Sequence, residues 1–173
     1  MLLSEHLAKR GIALDSVKAL SVCQPFASMI VIGEKTVEWR TKPFNYRGPL
    51  IICASKSQVW ELHNGKRLPV GVALGVVDIV GCRPMAREDL KAACCEEYEG
   101  PVDGFAWELV NPLEVEPVPV KGIVAPWPWV QRGGSDLTLA PNWHGEYLGI
   151  LAVPGAGLKC FLSSAGLPSC ARG

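Results

Sequence analysis

The run Val70-Gly71-Val72-Ala73-Leu74-Gly75-Val76-Val77-Asp78-Ile79-Val80 constrains the fold more than any other part of the chain. Branching at Cβ suits valine to an extended, half-buried surface and restricts it in a helix. Gly71 and Gly75 interrupt the run where a long strand has to bend or bulge around a barrel, and Gly81 and Pro84 close it. The remaining strand signals are shorter. Lys18 to Cys23 reads as a first strand. Thr36-Val37-Glu38-Trp39-Arg40 alternates polar and apolar residues. Leu50 to Ala54 is an apolar run bounded by turn residues, Gly104 to Val110 is a strand containing Trp107, and Val115 to Lys121 is an edge strand by virtue of Pro117 and Pro119.

Helical signals are fewer. Leu3, His6, Leu7 and Arg10 recur at helical spacing before Gly11. A second helix is expected from Gln24-Pro25 to Gly33, with Phe26, Met29 and Ile30 on its core face. Lys56 to His63 and Ala86 to Glu97 also read as helices. Strands outnumber helices and no βα unit repeats, so the expected class is mainly β with flanking helices (α+β), arranged as a small mixed β-barrel. Trp39 and Trp107 are assigned to its core, and Trp127 and Trp129 to the seal at its end. The expected organisation is a helical lead-in over 1–17, the barrel over 18–130, and an appendage over 131–173 in which Asn142 to Val153 packs on the domain.

A chain of 173 residues is long enough for one well-filled core. Its apolar stretches are broken before the ~18 residues that a membrane span requires, and no export signal is read at its start, so no membrane association is expected. Seven cysteines without a C-x-x-C pair point to reduced thiols in a cytoplasmic, reducing compartment, with Cys23 and Cys53 as small core hydrophobes. The dispersed His6, His63 and His144 lack zinc-ligand spacing, so no metal site is expected. No Gly-rich phosphate loop is present, and no cofactor is expected either. Cys94-Cys95 reads as packed or exposed thiols rather than a nucleophile.

Lys and Arg number 17 against 17 Asp and Glu, so no bulk attraction to nucleic acid exists. The distribution is uneven. Lys35 to Arg67 carries seven basic residues against Glu38 and Glu61, a balance of 7 − 2 = +5, whereas Ala92 to Val120 carries seven acidic residues and no basic one. The first segment is able to face phosphates. Within it, strand parity puts Glu38 and Arg40 on one face, opposite Val37 and Trp39. A Lys–Glu–Arg set supplies charge and directed donors for phosphates or base edges, and a carboxylate that accepts from an exocyclic amine. The same residues also satisfy a simpler description, a surface ion pair worth about 0 to 1 kcal/mol. Phe44, Tyr46 and Trp60 are the aromatic candidates for stacking on a base.

Three segments together resemble the ASCH family, the domain shared by the activating signal cointegrator and many small bacterial, archaeal and phage proteins. They are Leu20-Ser21-Val22-Cys23-Gln24-Pro25-Phe26-Ala27-Ser28, then Gly33-Glu34-Lys35-Thr36-Val37-Glu38-Trp39-Arg40, which fits a G-x-K-x-x-E-x-R signature, and Gly71-Val72-Ala73-Leu74-Gly75-Val76-Val77-Asp78 followed by Trp107-Glu108-Leu109. The resemblance covers roughly residues 18 to 130. It implies a PUA-like barrel with the signature strand on the floor of a cleft, an RNA or nucleotide-like ligand, and association with transcription or translation assemblies as a possible protein partnership. The binding set it implies is Lys35, Thr36, Glu38, Arg40, Lys42, Tyr46 and Arg47. Some small family members hydrolyse acetylated cytidine with a Lys, a Thr three residues later and a distal Glu. Here Lys35 matches the first, Glu38 stands in place of the Thr, and Glu96 or Glu97 lies near the third, so Lys35, Glu38, Glu96 and Glu97 are the catalytic candidates. A ribonuclease role, with Lys35 or Arg40 stabilising the transition state, is the remaining alternative.

Overall fold

In the computed structural model, which describes residues 1–56, 66–122 and 125–145, the valine-rich run forms β4 (Val72–Pro84). It pairs along its length with β5 (Phe105–Pro119). Sequence reading divides β5 into two strands, but it is a single one. Register shifts after Ala73, Val76 and Ile79 let β4 and β5 curve together without separating. Gly75 sits in one of these irregularities for a steric reason. A Cβ there would lie 2.5 Å from the Leu113 carbonyl oxygen and 2.6 Å from the Val31 side chain. The other strands are β1 (Lys18–Val22), β2 (Val37–Arg40), β3 (Gly48–Ala54) and β6 (Trp127–Pro128). Two short helices accompany them, α1 (Leu3–Ala8) and α2 (Phe26–Val31).

The six strands make one sheet in the order β2-β5-β4-β3-β1-β6, with β1 and β3 parallel and the other neighbours antiparallel. The mostly-β class is as expected, whereas backbone closure into a barrel is not found. The reason lies at β1. Its outer edge is paired by β6 only at Lys18 and Ala19. Val22 accepts from Ser55 on the β3 side, so Ser21, one residue earlier, turns its carbonyl to the open side, where β2 contributes a side chain rather than a strand.

Two apolar clusters pack against the curved sheet. One gathers α2 with Leu20, Val22, Leu50, Ile52, Leu74, Val77, Trp39 and Trp107, which places Phe26, Met29 and Ile30 in the core as their spacing requires. The other gathers Leu3 and Leu7 of α1 with Ala19, Ile51, Val76, Val115, Trp127, Trp129 and Leu137. Backbone bonds tie this second cluster to both chain segments that flank the sheet. Leu3 donates to Leu137 (2.7 Å), Leu139 to Met1 (3.0 Å), Glu116 to Thr138 (2.9 Å) and Ala140 to Glu114 (3.0 Å). The Asp136 carboxylate accepts from the Ser4 hydroxyl and, at 3.0 Å, from its N–H.

The helix expected over Ala86–Glu97 is only a 3-10 turn at Arg87–Leu90 followed by irregular turns. The carbonyls that would extend it are committed elsewhere. Ala92 accepts from Thr36 and Val37, and Ala93 accepts from the Lys35 ammonium. Cys94 also adopts a left-handed conformation (φ 56°), which ends any right-handed helix there. The helix expected over Lys56–His63, with Trp60, falls almost wholly outside the described residues. Among the described cysteines, Cys53, Cys82, Cys94 and Cys95 are thiols. Burial pushes the Cys53 thiol up to about 12, as befits a thiol that only packs. No helix among the described residues is long and apolar enough to cross a membrane, and none of their His, Cys, Asp and Glu side chains gather in threes as metal ligands would.

Ending the chain before Gln131 removes Leu137, which is fully buried against Leu3 and Leu7. The truncated protein is expected to lose about 2–5 kcal/mol, the range for deleting a large buried aliphatic side chain, together with its strand-like backbone bonds. Chemical denaturation checks this. An unchanged midpoint would show that the second cluster holds without that segment.

Candidate functional site

The G-x-K-x-x-E-x-R segment is assembled by a helix end, a turn and a short strand. α2 stops at Gly33, whose positive φ (88°) reverses the chain, and the Lys35 N–H then returns to the Met29 carbonyl (3.0 Å). Thr36 and Val37 both donate to Ala92, and β2 continues antiparallel to β5 with Glu38 opposite Trp107 and Arg40 opposite Phe105. Parity holds as read from the sequence, but both faces of β2 are covered. Lys35, Glu38 and Arg40 are 3%, 1% and 4% exposed.

The three side chains form one cluster. The Lys35 ammonium donates to the carbonyls of Val37 (2.6 Å) and Ala93 (2.8 Å), and lies 3.4 Å from Glu38 Oε2 and 5.2 Å from the Phe26 ring centroid. The ammonium is therefore held by two backbone carbonyls and one carboxylate. Arg40 Nη2 donates across the open edge to the Ser21 carbonyl (3.1 Å), and its guanidinium lies 5.8 Å from the Trp107 ring centroid. Arg40 Nε stands 3.0 Å from Glu38 Oε1, close enough for an ion pair but out of line for a hydrogen bond, so both atoms are buried without a hydrogen-bond partner. The formal charges sum to +1.

Burial changes what these residues do for the fold. Sequence parity suggests that Glu38 and Arg40 can be truncated without harm, but removing Glu38 leaves two buried cations without the carboxylate they share. Glu38→Ala is expected to cost about 3–5 kcal/mol. Glu38→Gln, which keeps the shape and one acceptor, is expected to cost less. Urea unfolding of the two variants separates them, and equal, small losses would place the cluster in contact with water.

The other predicted site residues lie around this cluster. Thr36, Lys42 and Arg47 are exposed and Tyr46 is half-buried. The segment 41–47 follows β2 and is fastened from below. Trp107 Nε1 donates to the Lys42 carbonyl (3.1 Å), Phe44 stacks on Trp107 at 4.6 Å, and Tyr46 tilts against Phe44 at 5.6 Å. Arg47 clamps the segment by donating to the carbonyls of Phe44 and Tyr46, both at 2.8 Å. Lys18 lies 5.4 and 5.3 Å from the Phe44 and Tyr46 ring centroids. Burial pushes the Tyr46 phenol above its ordinary value, so it stays protonated and donates to the Pro49 carbonyl (2.6 Å). Glu96 and Glu97 are exposed, and no hydrogen bond or ion pair joins them to Lys35 among the described residues.

A second buried polar group escaped the sequence reading, which sets His144 aside as isolated. His144 Nδ1 lies 2.7 Å from Glu114 Oε2, which also accepts from the His144 N–H, and Nε2 lies 3.2 Å from Ser28 Oγ. The order Ser–His–Glu resembles a catalytic relay, but Ser28 and His144 are fully buried, so the group fastens residues 141–145 to α2 and β5. Only Glu114 lies within strand periodicity, and nothing in the spacing of the three marks them as neighbours. Burial holds the His144 ring below its ordinary imidazole value, against the opposing pull of Glu114. The folded state thus favours a neutral ring, and the unfolded chain takes up protons first. Stability from this contact is complete above pH ~6.5 and is lost as pH falls below it toward the lower folded value. The thermal midpoint is expected to drop between pH 7 and 5, with a shallower drop in His144→Gln. Parallel profiles would remove His144 as the source.

A mostly-β sheet with short flanking helices, whose open seam is bridged by a buried Lys–Glu–Arg set on a G-x-K-x-x-E-x-R strand, is the kind of domain the sequence resembles. The ASCH domain family model matches residues 20–119, and the chain belongs to that family. The match runs from β1 to the end of β5 and contains the whole cluster. Among solved structures the chain is similar to ASCH from Zymomonas mobilis, with 20% identity over 61% of this chain and 74% of that one and a TM-score of 0.45. It is also similar to a serine-to-alanine mutant of that protein, with 17% identity over 80% of this chain and 97% of that one and a TM-score of 0.46. No curated protein matches the chain significantly.

Proposed function

We propose that this ASCH domain binds single-stranded RNA or a nucleotide-like ligand at the seam between β1 and β2, with the Glu38–Arg40 pair reading a base edge and segment 41–47 forming the rim. One observation carries the reading. A carboxylate oxygen and a guanidinium N–H lie side by side at 3.0 Å, buried and without hydrogen bonds, in a cluster of formal charge +1. Such unsatisfied groups are costly when dry, and a base edge offering an exocyclic amine beside an acceptor satisfies both at once. Uracil lacks that amine. Because both atoms are closed to solvent, ligand entry displaces the 41–47 segment, whose exposed Lys42 and Arg47 then meet phosphate and whose half-buried Tyr46 supplies a stacking face. The family is RNA-binding-like or hydrolase-like in general. Binding without turnover is favoured here because the Lys35 ammonium is fully engaged by protein.

Titration of short single-stranded RNAs at several salt concentrations tests this. Lys42→Ala is expected to lower affinity and reduce the salt slope by about one charge. Tyr46→Ala is expected to cost about 1–3 kcal/mol of binding. Glu38→Gln is expected to weaken the preference for amine-bearing bases over uracil. Unchanged affinity and base preference in all three variants, with folding verified by circular dichroism, would move the ligand site elsewhere.

A further inference from the structure

Cys94 and Cys95 are adjacent thiols in the irregular turns that follow the 3-10 turn at Arg87–Leu90. The positive φ of Cys94 (56°) reverses the chain there. The N–H groups of the pair tie the turn, Cys94 donating to the Lys91 carbonyl (3.0 Å) and Cys95 to that of Leu90 (2.8 Å). Their exposure differs. Cys94 is half-buried and reachable from water, whereas Cys95 is 5% exposed. The other described thiols are placed differently. Cys53 is fully buried in β3, and Cys82 lies on β4, where it accepts from the Phe44 N–H (3.4 Å).

Both sulfurs reach carbonyls that position Lys35. Cys94 Sγ donates to the Glu34 carbonyl (3.6 Å), whose peptide continues into the Lys35 N–H that returns to Met29. Cys95 Sγ donates to the Ala93 carbonyl (3.4 Å), which also accepts from the Lys35 ammonium (2.8 Å). The thiol pair therefore touches the holders of both the backbone and the side chain of this buried lysine.

Adjacent Cα atoms are about 3.8 Å apart, closer than the ~4.4–6.8 Å of ordinary disulfides. A bond between neighbouring sulfurs is therefore strained and readily reduced, which suits a reversible switch and not a structural staple. We propose that Cys94 and Cys95 form a reversible thiol–disulfide site whose oxidant is a small disulfide such as oxidised glutathione, and that its closure loosens the hold on Lys35. The half-buried Cys94 loses its proton to water and attacks one glutathione sulfur, breaking that disulfide and releasing one glutathione thiolate. Cys95 then loses its proton and attacks the Cys94 sulfur, forming the protein disulfide and releasing the second glutathione thiolate. The two protons end on the two leaving thiolates, so the cysteine pair is oxidised as the glutathione disulfide is reduced. Neither protein sulfur then has a hydrogen to donate. The Glu34 and Ala93 carbonyls lose their thiol partners while the backbone at 93–95 adjusts to the new ring. The site does not depend on what the β1–β2 seam binds.

Mass spectrometry of the full chain, treated with excess oxidised glutathione, alkylated and digested, tests the site. The peptide carrying Cys94 and Cys95 is expected to lose two hydrogens and to take up no alkylating group, while dithiothreitol restores both thiols. In Cys95→Ser, with unchanged circular dichroism, the reaction is expected to stop at a glutathione adduct on Cys94. Acetic anhydride labelling of the folded protein reads the coupling. Lys35 is expected to be labelled at least about threefold faster in the oxidised than in the reduced form, with the exposed Lys91 unchanged as the reference. Alkylation of both cysteines despite excess oxidant, a lasting glutathione adduct on Cys94 of the native chain, or a bridge from either one to another cysteine overturns the site. Equal Lys35 labelling in the two forms overturns the coupling.

Discussion

Three formal charges at Lys35, Glu38 and Arg40, nearly closed to water, must be held between strand edges that never hydrogen-bond to each other. Transferring each ion from water costs several kcal/mol, so every one needs partners fixed in advance. Those partners are largely backbone. The Val37 and Ala93 carbonyls hold the ammonium, and the Ser21 carbonyl holds the guanidinium. This requirement shapes the chain around it. The segment after β4 forgoes a helix because Ala92 and Ala93 serve β2 and Lys35, and α2 ends on Gly33 so that Lys35 can turn back toward it.

The curvature that brings β2 near β1 comes from the β4–β5 pair, whose irregularities admit α2 against Gly75 on one face. On the other face, α1 and residues 137–140 complete a second cluster around Trp127 and Trp129. The family match ends at Pro119, yet this cluster draws on residues beyond both of its ends. Segments outside the shared domain therefore bury the outer face of its sheet, and a pocket at Lys121 and Arg132 lies where one of them meets β5.

The seam and this pocket differ in kind. At the seam the charged groups are buried and mostly satisfied, beside a largely exposed segment 41–47. At the pocket the cations Lys121 and Arg132 are exposed, whereas Trp127 and Trp129 beside them are buried.

Local pattern alone was enough for the strand-rich class, for Phe26, Met29 and Ile30 as a core stripe, for Trp39 and Trp107 as core residues, and for the residue types of the signature, because each depends on periodicity or spacing within one segment. It also placed Glu38 and Arg40 on one face correctly. Whether that face meets water was not legible, since the answer lies with residues distant in sequence, Ser21 on β1 and the carbonyls at 92–93. Backbone carbonyls carry no sequence signal. For the same reason the abandoned helix after Ala86, the lack of barrel closure beyond Ala19 and the Ser28–His144–Glu114 contact were decided only by tertiary structure, in which bonds between distant segments outweigh local helical and strand preference.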